Sequence, residues 1–412
     1  MTVATEGRHL RQRSEQEQRA TNLELFFDLV FVFAVTQLSH LLGSHLTLAG
    51  AGQTALLLLV TWWAWVYTTW MTNWFDPDSP VVRCLLITVM LASLAMAIAI
   101  PQAFGDRALM FALGYGGLQV IRNAFVVWAT DRGSQLHAAF VRILTWSLVV
   151  AVMWVAGALL DDGARVAVWT AALALDYLGP AAGYWLPGIG RSVAAEWDIE
   201  GSHFAERFQL FIIIALGESI VVTGTTASSL HVDAARAAAI AVSFVTSAAM
   251  WWLYFDFVAT IAQRRLATSS ESGALACDAY TYIHTLMVAG IIVAAVGDAV
   301  LIARPGVTAT AAQLAALAGG PALYLAGHVA FRRRMAGSWS PKRVTATGAL
   351  VLAGLLGALM PALACATLIL AVLIGLIVAE LISGRRREQR GDPSPLQRLE
   401  AVEAQRPGEM PV

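Results

Sequence analysis

The chain has 412 residues, of which 58% are hydrophobic and only 13% are charged, and its mean hydropathy is +0.65. Soluble domains carry about 25% charged residues, so this composition excludes an ordinary soluble protein and predicts an all-α, polytopic membrane helix bundle. The formal net charge of −1 comes with no basic domain, so we expect no nucleic-acid partner.

Twelve apolar windows are long enough to cross the hydrocarbon core of a bilayer, which takes about 20 helical residues. They lie at 22–42, 53–75, 81–101, 108–129, 142–160, 165–185, 207–226, 236–259, 279–301, 309–331, 343–361 and 363–383. The last two are separated only by a turn near Pro361, so eleven or thirteen spans are alternatives to twelve. A polar stretch precedes the first window, which argues against a cleavable signal peptide.

The distribution of basic residues predicts the orientation of the spans. With twelve crossings both termini lie on one side, and 22 of the 27 Lys and Arg residues fall on that side against four on the other. Because cytoplasmic loops are enriched in Lys and Arg, both termini are predicted to be cytoplasmic. Segments 1–21 and 384–412 are then a cytoplasmic N-terminal arm and a disordered cytoplasmic tail, and 186–206 is a cytoplasmic linker.

The first window, NLELFFDLVFVFAVTQLSHLL, carries two acids within an apolar helix. Glu24 and Asp28 are four residues apart and share a helix face, so both stay ionised only with a cation beside them. Either one is protonated, or Arg122 or Arg207 pairs with the site. The alternative interpretation of Asp28 is an ion pair with Arg122 that only joins helices. For Glu24 and Glu206, stabilisation of a helix N-terminus is a sufficient explanation of the acid at that position.

The seventh and eighth windows resemble the first and second. ELFFDLVFVFA, from Glu24, aligns with ERFQLFIIIAL, from Glu206, and WWAWVY aligns with WWLYFD. Because six is an even number of spans, this predicts two parallel six-helix repeats, 22–185 and 207–383, related by an axis along the membrane normal, as in several transporter folds. The alternative is a chance likeness between apolar helices.

Other ionisable groups are predicted at membrane depth, where such residues are functional candidates by default. Glu218 lies near the middle of the seventh window and follows Gly217, whose small size would allow close helix approach. His284 would serve either as a proton relay or as a hydrogen-bonded structural group. The remaining candidates are Arg122, Asp176, Arg207 and Asp256.

Four segments carry a family resemblance: LELFFDLVFVFAVTQLSHLL, WWAWVYTTWMTNWFD, HFAERFQLFIIIALGESIVVTG and AMWWLYFD. They resemble the bacterial low temperature requirement protein A (LtrA) family, and the resemblance implies a multi-spanning bacterial membrane protein with no established biochemical activity. The first helix is also similar to potassium channels that carry a Phe-Ser-Asp motif in each six-span unit. Phe27 replaces that serine, and Gln209 and Leu210 replace Ser-Asp in the second half. These departures argue against a symmetric potassium pore.

Three functions fit these patterns. The first is a transporter or channel in the bacterial cytoplasmic membrane for a small ion or solute, coupled to protons through Asp28 and Glu218. The second is an integral-membrane enzyme acting on a lipid, with Arg122 or Arg207 holding a head group. The third is a membrane scaffold or sensor whose buried charges are all paired. No common catalytic motif occurs, so no cofactor or metal is expected, and a homo-oligomer is compatible with the sequence.

Overall fold

The computed structural model describes residues 9–11, 19–192, 199–256, 258–269, 272–393 and 397. Within these ranges the regular secondary structure is helical, without a β-strand, and eleven helices are long and apolar enough to cross a membrane. The prediction of an all-helical, multi-pass chain is confirmed, and a helix occupies each of the twelve windows. The helix of the sixth window, Asp162–Ala181, is not among the eleven, because Arg165 and Asp176 lower its hydropathy.

The chain forms two compact units, with the boundary between Arg207 and Phe208. The helices of the first unit are α1 (Asn22–Ser44), α2 (Leu48–Trp74), α3 (Pro80–Ala99), α4 (Ala108–Ala129), α5 (Gln135–Ala158), α6 (Asp162–Ala181) and the beginning of α7 (Gly201–Ser228). A 3₁₀ turn, Ile100–Gln102, extends α3. Successive helices from α3 to α6 pack on one another, α1 packs on α2 and α3, and α2 contacts α4 and α6.

Helix α1 begins at a capping box and has two unlike faces. The Thr21 side chain accepts a hydrogen bond from the backbone N–H of Glu24, whose carboxylate accepts one from the backbone of Thr21. Glu24 and Asp28 are fully buried, whereas Phe26 and Leu29 on the other face are exposed. Apolar side chains outside and acids inside are typical of a membrane helix that turns its polar groups toward the protein interior.

Part of the predicted N-terminal arm is attached to the end of α2. The backbone N–H of Arg11 donates to the Trp74 carbonyl at 2.9 Å, and the N–H of Asp76 donates to the His9 carbonyl at 3.0 Å. These bonds bring the Arg11 side chain to the end of the first unit that holds Glu24. The rest of the arm, 1–8 and 12–18, lies outside the described residues.

After the remainder of α7, the second unit contains seven more α-helices. They are α8 (Ala234–Phe255), α9 (Val258–Thr268), α10 (Ser272–Leu275), α11 (His284–Ala303), α12 (Ala311–Ala336), α13 (Pro341–Leu356) and α14 (Ala362–Gln389). A π-helical segment, Ala276–Ile283, leads into α11, and a 3₁₀ turn, Gly357–Leu359, follows α13. Helices α11 to α14 pack in chain order and α14 also packs on α8. The tail predicted as disordered begins as helix, since α14 continues to Gln389, while 394–396 and 398–412 lie outside the described residues.

Glycines allow α11 and α12 to approach closely. A Cβ atom on Gly290 would lie 2.5 Å from the backbone nitrogen of Tyr324, and one on Gly320 would overlap the backbone of Ala294. Gly297 meets Leu317 of α12 in the same way. Such small-residue contacts are a common basis of helix pairing in membranes, because they bring backbones into van der Waals contact.

Candidate functional site

The two acids of α1 share one guanidinium from the first turns of α7. Arg207 Nη1 lies 3.0 Å from Glu24 Oε1, and Arg207 Nη2 lies 2.6 Å from Asp28 Oδ1. All three side chains are at most 1% exposed. The contact with Asp28 is a charge-assisted hydrogen bond, which is the strong kind, and the contact with Glu24 is an ion pair without a hydrogen bond. Arg207 is therefore the cation that the spacing of the acids requires.

Asp28 has a second donor from α2. The indole Nε1–H of Trp65 donates to Asp28 Oδ1 at 2.8 Å, and the Arg207 guanidinium lies 6.0 Å from the Trp65 ring centroid. Trp65 and Arg207 thus donate to the same carboxylate oxygen of Asp28, Oδ1. The other oxygen, Oδ2, is buried and accepts no hydrogen bond from any described residue.

A histidine contacts Glu24. Asn73 Oδ1 accepts from the N–H of Glu200 at 2.8 Å, so Asn73 Nδ2 is the donor that faces His203 Nδ1 at 3.2 Å. His203 Nε2 lies 3.0 Å from Glu24 Oε1 and 2.9 Å from Arg11 Nη1, between an acid and a base. Arg11 completes the cluster, with Nη2 3.8 Å from Glu24 Oε2 and Nη1 donating to a backbone carbonyl of α2.

The formal charges of this group cancel. We call Arg11, Glu24, Asp28, His203 and Arg207 the α1 charge cluster. It contains two carboxylates, two guanidiniums and one imidazole. A buried ion pair is tolerated when the charges balance and the remaining polar atoms are bonded. Four buried atoms of the cluster depart from that rule, with no hydrogen bond among the described residues: Glu24 Oε1, Asp28 Oδ2, Arg207 Nε and Arg207 Nη1.

The two glutamates of the repeat motif have different surroundings. Glu24 stabilises the start of its helix, as predicted. Glu206 lies beyond the first turn of α7 and accepts a hydrogen bond from the N–H of Ala20 at 2.9 Å, so the corresponding prediction for Glu206 is wrong. The residue that caps the first turn of α7 is Glu200, whose carboxylate accepts from the N–H groups of Ser202 and His203 at 3.2 and 2.5 Å.

Arg122 belongs to a separate set of contacts. Its Nη1 donates to the Ala64 carbonyl and to Thr68 Oγ1, both at 3.2 Å, and its Nη2 donates to Gln119 Oε1. It is fully buried and has no carboxylate within 4 Å among the described residues. The interpretation of Asp28 and Arg122 as an ion pair is wrong, because Arg207 takes that place.

A chain of hydrogen bonds links Arg122 to Asp176 across the interior of the first unit. The hydroxyl of Tyr115 donates to Asp176 Oδ2 at 2.6 Å, and Gln119 Nε2 donates to the Tyr115 oxygen at 3.0 Å. Gln119 in turn accepts from Arg122. Two of the candidate residues are therefore connected through α4 without direct contact.

The candidates of the second unit do not form a comparable cluster. Glu218 is fully buried in α7, and Asp256 is exposed at the C-terminus of α8. A Cβ atom on Gly217 would meet nothing within 4 Å, so the predicted role of Gly217 in close helix approach is wrong. His284 has both ring nitrogens engaged, Nδ1 donating to the Ala279 carbonyl at 3.2 Å and Nε2 lying 2.9 Å from the Tyr254 hydroxyl.

Sequence reasoning did not find three members of the site, which are Arg11, Trp65 and His203. His203 and Arg207 are four residues apart in HFAER, a spacing that places both on one face of a helix. That signal was available in the sequence. The role of Arg11 depends on a chain reversal onto α2, which has no sequence signature.

Asp28 Oδ2 is an acceptor of the α1 charge cluster that no described residue uses. A proton on this oxygen would neutralise the carboxylate, and Arg207 would then face one charged acid, Glu24, and the neutral carbonyl oxygen of Asp28. In the described part of the chain, no group of three or more His, Cys, Asp or Glu side chains could hold a metal ion. The counter-charges of the acids are the two arginines.

Comparison with known proteins identifies the relatives of this chain. The family model described as "Bacterial low temperature requirement A protein (LtrA)" matches residues 19–378. An uncharacterized protein of Rhizobium meliloti (strain 1021) is 39% identical over 326 residues, covering 79% of this chain and 80% of the relative. No solved structure matches. The chain therefore belongs to the bacterial low temperature requirement A family.

Proposed function

We propose that this protein is a transporter or channel of the bacterial cytoplasmic membrane for a small ion or solute, and that the α1 charge cluster couples its conformation to protons. The observation that carries the proposal is a fully buried Asp28 with one oxygen held by Arg207 and Trp65 and the other without a bond among the described residues. Buried acids with one open acceptor are expected where protons are taken up in a membrane protein.

The proposed cycle has two states. In the state described above, Arg207 bridges Glu24 and Asp28 and links α1 to the start of α7. Protonation of Asp28 on Oδ2 removes the negative charge from the shorter of the two ion contacts and leaves a weaker, neutral hydrogen bond to Oδ1, so that the link between these helices weakens. Return of the proton to the other side of the membrane restores the bridge, and the alternation moves the substrate.

We also propose that the halves are parallel six-helix repeats with cytoplasmic termini. Three features support this arrangement: the bias of Lys and Arg toward one side, the repeated motifs, and the recurrence of helix neighbours. In the first unit α3 to α6 pack in chain order and α2 contacts α6; in the second unit α11 to α14 pack in chain order and α8 contacts α14.

A membrane scaffold or sensor without transport is the second candidate. It is favoured by the charge balance of the cluster, in which each acid already has an arginine within 4 Å. In this alternative the cluster only fixes α1 against α7, and substitution of Asp28 changes stability but moves no ion.

Flux measurements separate the two candidates. The full-length protein is reconstituted into liposomes containing a pH-sensitive dye, and Na⁺, K⁺, Cl⁻ and proton gradients are imposed in turn. Transport predicts a protein-dependent flux that falls about tenfold or more in Asp28→Asn, since a proton-accepting group typically contributes 10²–10⁴-fold in proton transfer. The matched control is Asp78→Asn, which makes the same chemical change in an exposed ion pair and should leave flux unchanged.

The outcomes have distinct meanings. Flux that is equal in wild type and Asp28→Asn removes Asp28 from the mechanism. Absence of flux for every gradient, in protein that is folded and oriented in the bilayer, contradicts transport of these ions and favours the scaffold.

A further inference from the structure

The second unit contains a cavity of about 260 Å³ at the end where α12 finishes and α13 begins. It is bounded by α9, α12, α13 and α14 and by the loop that carries Trp339 and Ser340. Four basic side chains and one acidic side chain line it: Arg332, Lys342, Arg343, Arg387 and Glu380. The formal charge of the lining is therefore +3, unlike the balanced α1 charge cluster.

One of these arginines is already compensated. Arg343 is buried, with Nε 2.8 Å from Glu380 Oε1 and Nη2 3.0 Å from Glu380 Oε2. Its Nη1 donates to His328 Nδ1 at 2.7 Å. This bidentate pair lines the cavity and uses both oxygens of Glu380.

The other cations have no acidic partner. Lys342 Nζ donates to the Ala379 carbonyl at 2.8 Å and to Ser383, and neither acceptor is charged. Arg332 and Arg387 have no carboxylate within 4 Å among the described residues. Three cations from α12, α13 and α14 thus converge on one cavity whose one lining carboxylate, Glu380, is paired with Arg343.

We propose that this cavity binds the phosphate group of an anionic phospholipid. Basic pockets between membrane helices are a known form of anionic head-group site, and arginine forks match phosphate oxygens. Two observations favour a lipid over free phosphate. Val258, Ile261 and Met335 give the cavity an apolar side, and the exposed Trp339 also lines a second, largely apolar cleft of about 780 Å³ that would take an acyl chain.

The position along the chain agrees with this ligand. The basic residues follow the apolar part of α12 and α14 and precede that of α13, so they lie at the ends of candidate spans, at head-group depth. The site is independent of the proposed transport function, since it uses none of the α1 charge cluster.

The test uses full-length protein purified in a mild neutral detergent. Thermal stability is titrated with phosphatidylglycerol, with zwitterionic phosphatidylcholine and with inorganic phosphate. We expect saturable stabilisation by phosphatidylglycerol and none by phosphatidylcholine. The double variant Arg332→Gln with Arg387→Gln should bind phosphatidylglycerol roughly 30-fold more weakly, at roughly fivefold per basic residue removed.

The control has the same loss of two positive charges, both taken from α14. Arg385 and Arg386 lie on α14 but do not line the cavity, so Arg385→Gln with Arg386→Gln should retain wild-type affinity. Equal affinity in the two double variants, or equal stabilisation by both lipids, overturns the proposal. If inorganic phosphate stabilises the protein as much as phosphatidylglycerol does, the proposal of a lipid ligand is overturned and the site is assigned to free phosphate. An unchanged melting temperature without lipid shows that both double variants fold.

Discussion

Replacement of Arg207 by glutamine tests the central geometry of the site most directly. Arg207 is the only cation within 4 Å of Asp28 among the described residues, whereas Glu24 also has Arg11 and His203 nearby. Removing one partner of a buried ion pair typically costs about 3–5 kcal/mol, because the remaining charge is left uncompensated. For Arg207→Gln we expect the free energy of unfolding to fall by about 3–5 kcal/mol, almost all of it because the charge of Asp28 is left uncompensated.

The assay is thermal unfolding of the purified protein in detergent, followed by tryptophan fluorescence. At roughly 2–4 °C per kcal/mol for a unit of this size, the loss corresponds to a lower unfolding temperature by roughly 6–20 °C. Adding Asp28→Asn to Arg207→Gln removes the isolated carboxylate. The double variant should therefore regain about 2–3 kcal/mol, a coupling in the range measured for residues in direct contact.

The control is Arg83→Gln. Arg83 pairs with Asp78 at 3.3 Å, but both side chains are more than half exposed, so the change should cost at most about 1 kcal/mol. The reasoning is refuted if Arg207→Gln unfolds at the same temperature as Arg83→Gln, or if Asp28→Asn fails to rescue it.

Two other substitutions test single contacts. Trp65→Phe removes the indole donor to Asp28 and should cost about 1.5–3 kcal/mol, the typical value of a hydrogen bond to a charged group, measured by the same unfolding assay. Gly320→Ala places a methyl group against the backbone of α11 and should cost about 1–3 kcal/mol. Gly319→Ala, one residue away with open space around it, should be neutral or stabilising by up to about 1 kcal/mol.

Each of these two predictions has a definite contrary result. For Trp65 the control is Trp128→Phe, a change at a ring that is 64% exposed; equal effects at the two positions would mean that the bond to Asp28 contributes nothing. For the glycines, equal effects of Gly319→Ala and Gly320→Ala would mean that α11 and α12 are not in close contact.

Most of the helices could be predicted from hydropathy alone, but the residues at which they begin and end could not. The seventh window is predicted to begin at 207, yet α7 begins at Gly201, and α14 continues to Gln389 beyond the window that ends at 383. Both extensions are polar or charged. A hydropathy window detects the part of a helix that suits hydrocarbon, whereas the backbone hydrogen bonds of a helix continue past that part.

The site was predicted in part for a similar reason. The spacing of Glu24 and Asp28 requires a shared face and a shared cation, and both follow from helix geometry. The choice between Arg122 and Arg207 does not follow from it, because the two arginines lie on different helices and only tertiary packing decides which one reaches Asp28. The structure places Arg207 there, and no described carboxylate lies within 4 Å of Arg122.

The double tryptophan occurs in both units, but the burial of its rings differs between them. Trp62 and Trp63 are at most 1% exposed, whereas Trp251 and Trp252 are 46% and 44% exposed. The same motif thus packs inside the first unit and lies at the surface of the second. Interior helix packing therefore describes the first pair only.

What the two motifs share is a backbone carbonyl. The residue that follows the double tryptophan is Ala64 in the first unit and Leu253 in the second, and each carbonyl accepts a hydrogen bond at 3.2 Å from a buried arginine. The donors are not equivalent, since Arg122 lies on α4 and Arg343 on α13. Carbonyl oxygens are among the few groups that can compensate a cation at membrane depth, and for Arg122 they act without a carboxylate. The carbonyl that follows a double tryptophan thus accepts from a buried arginine in both units, although the two arginines come from helices at different places in the chain.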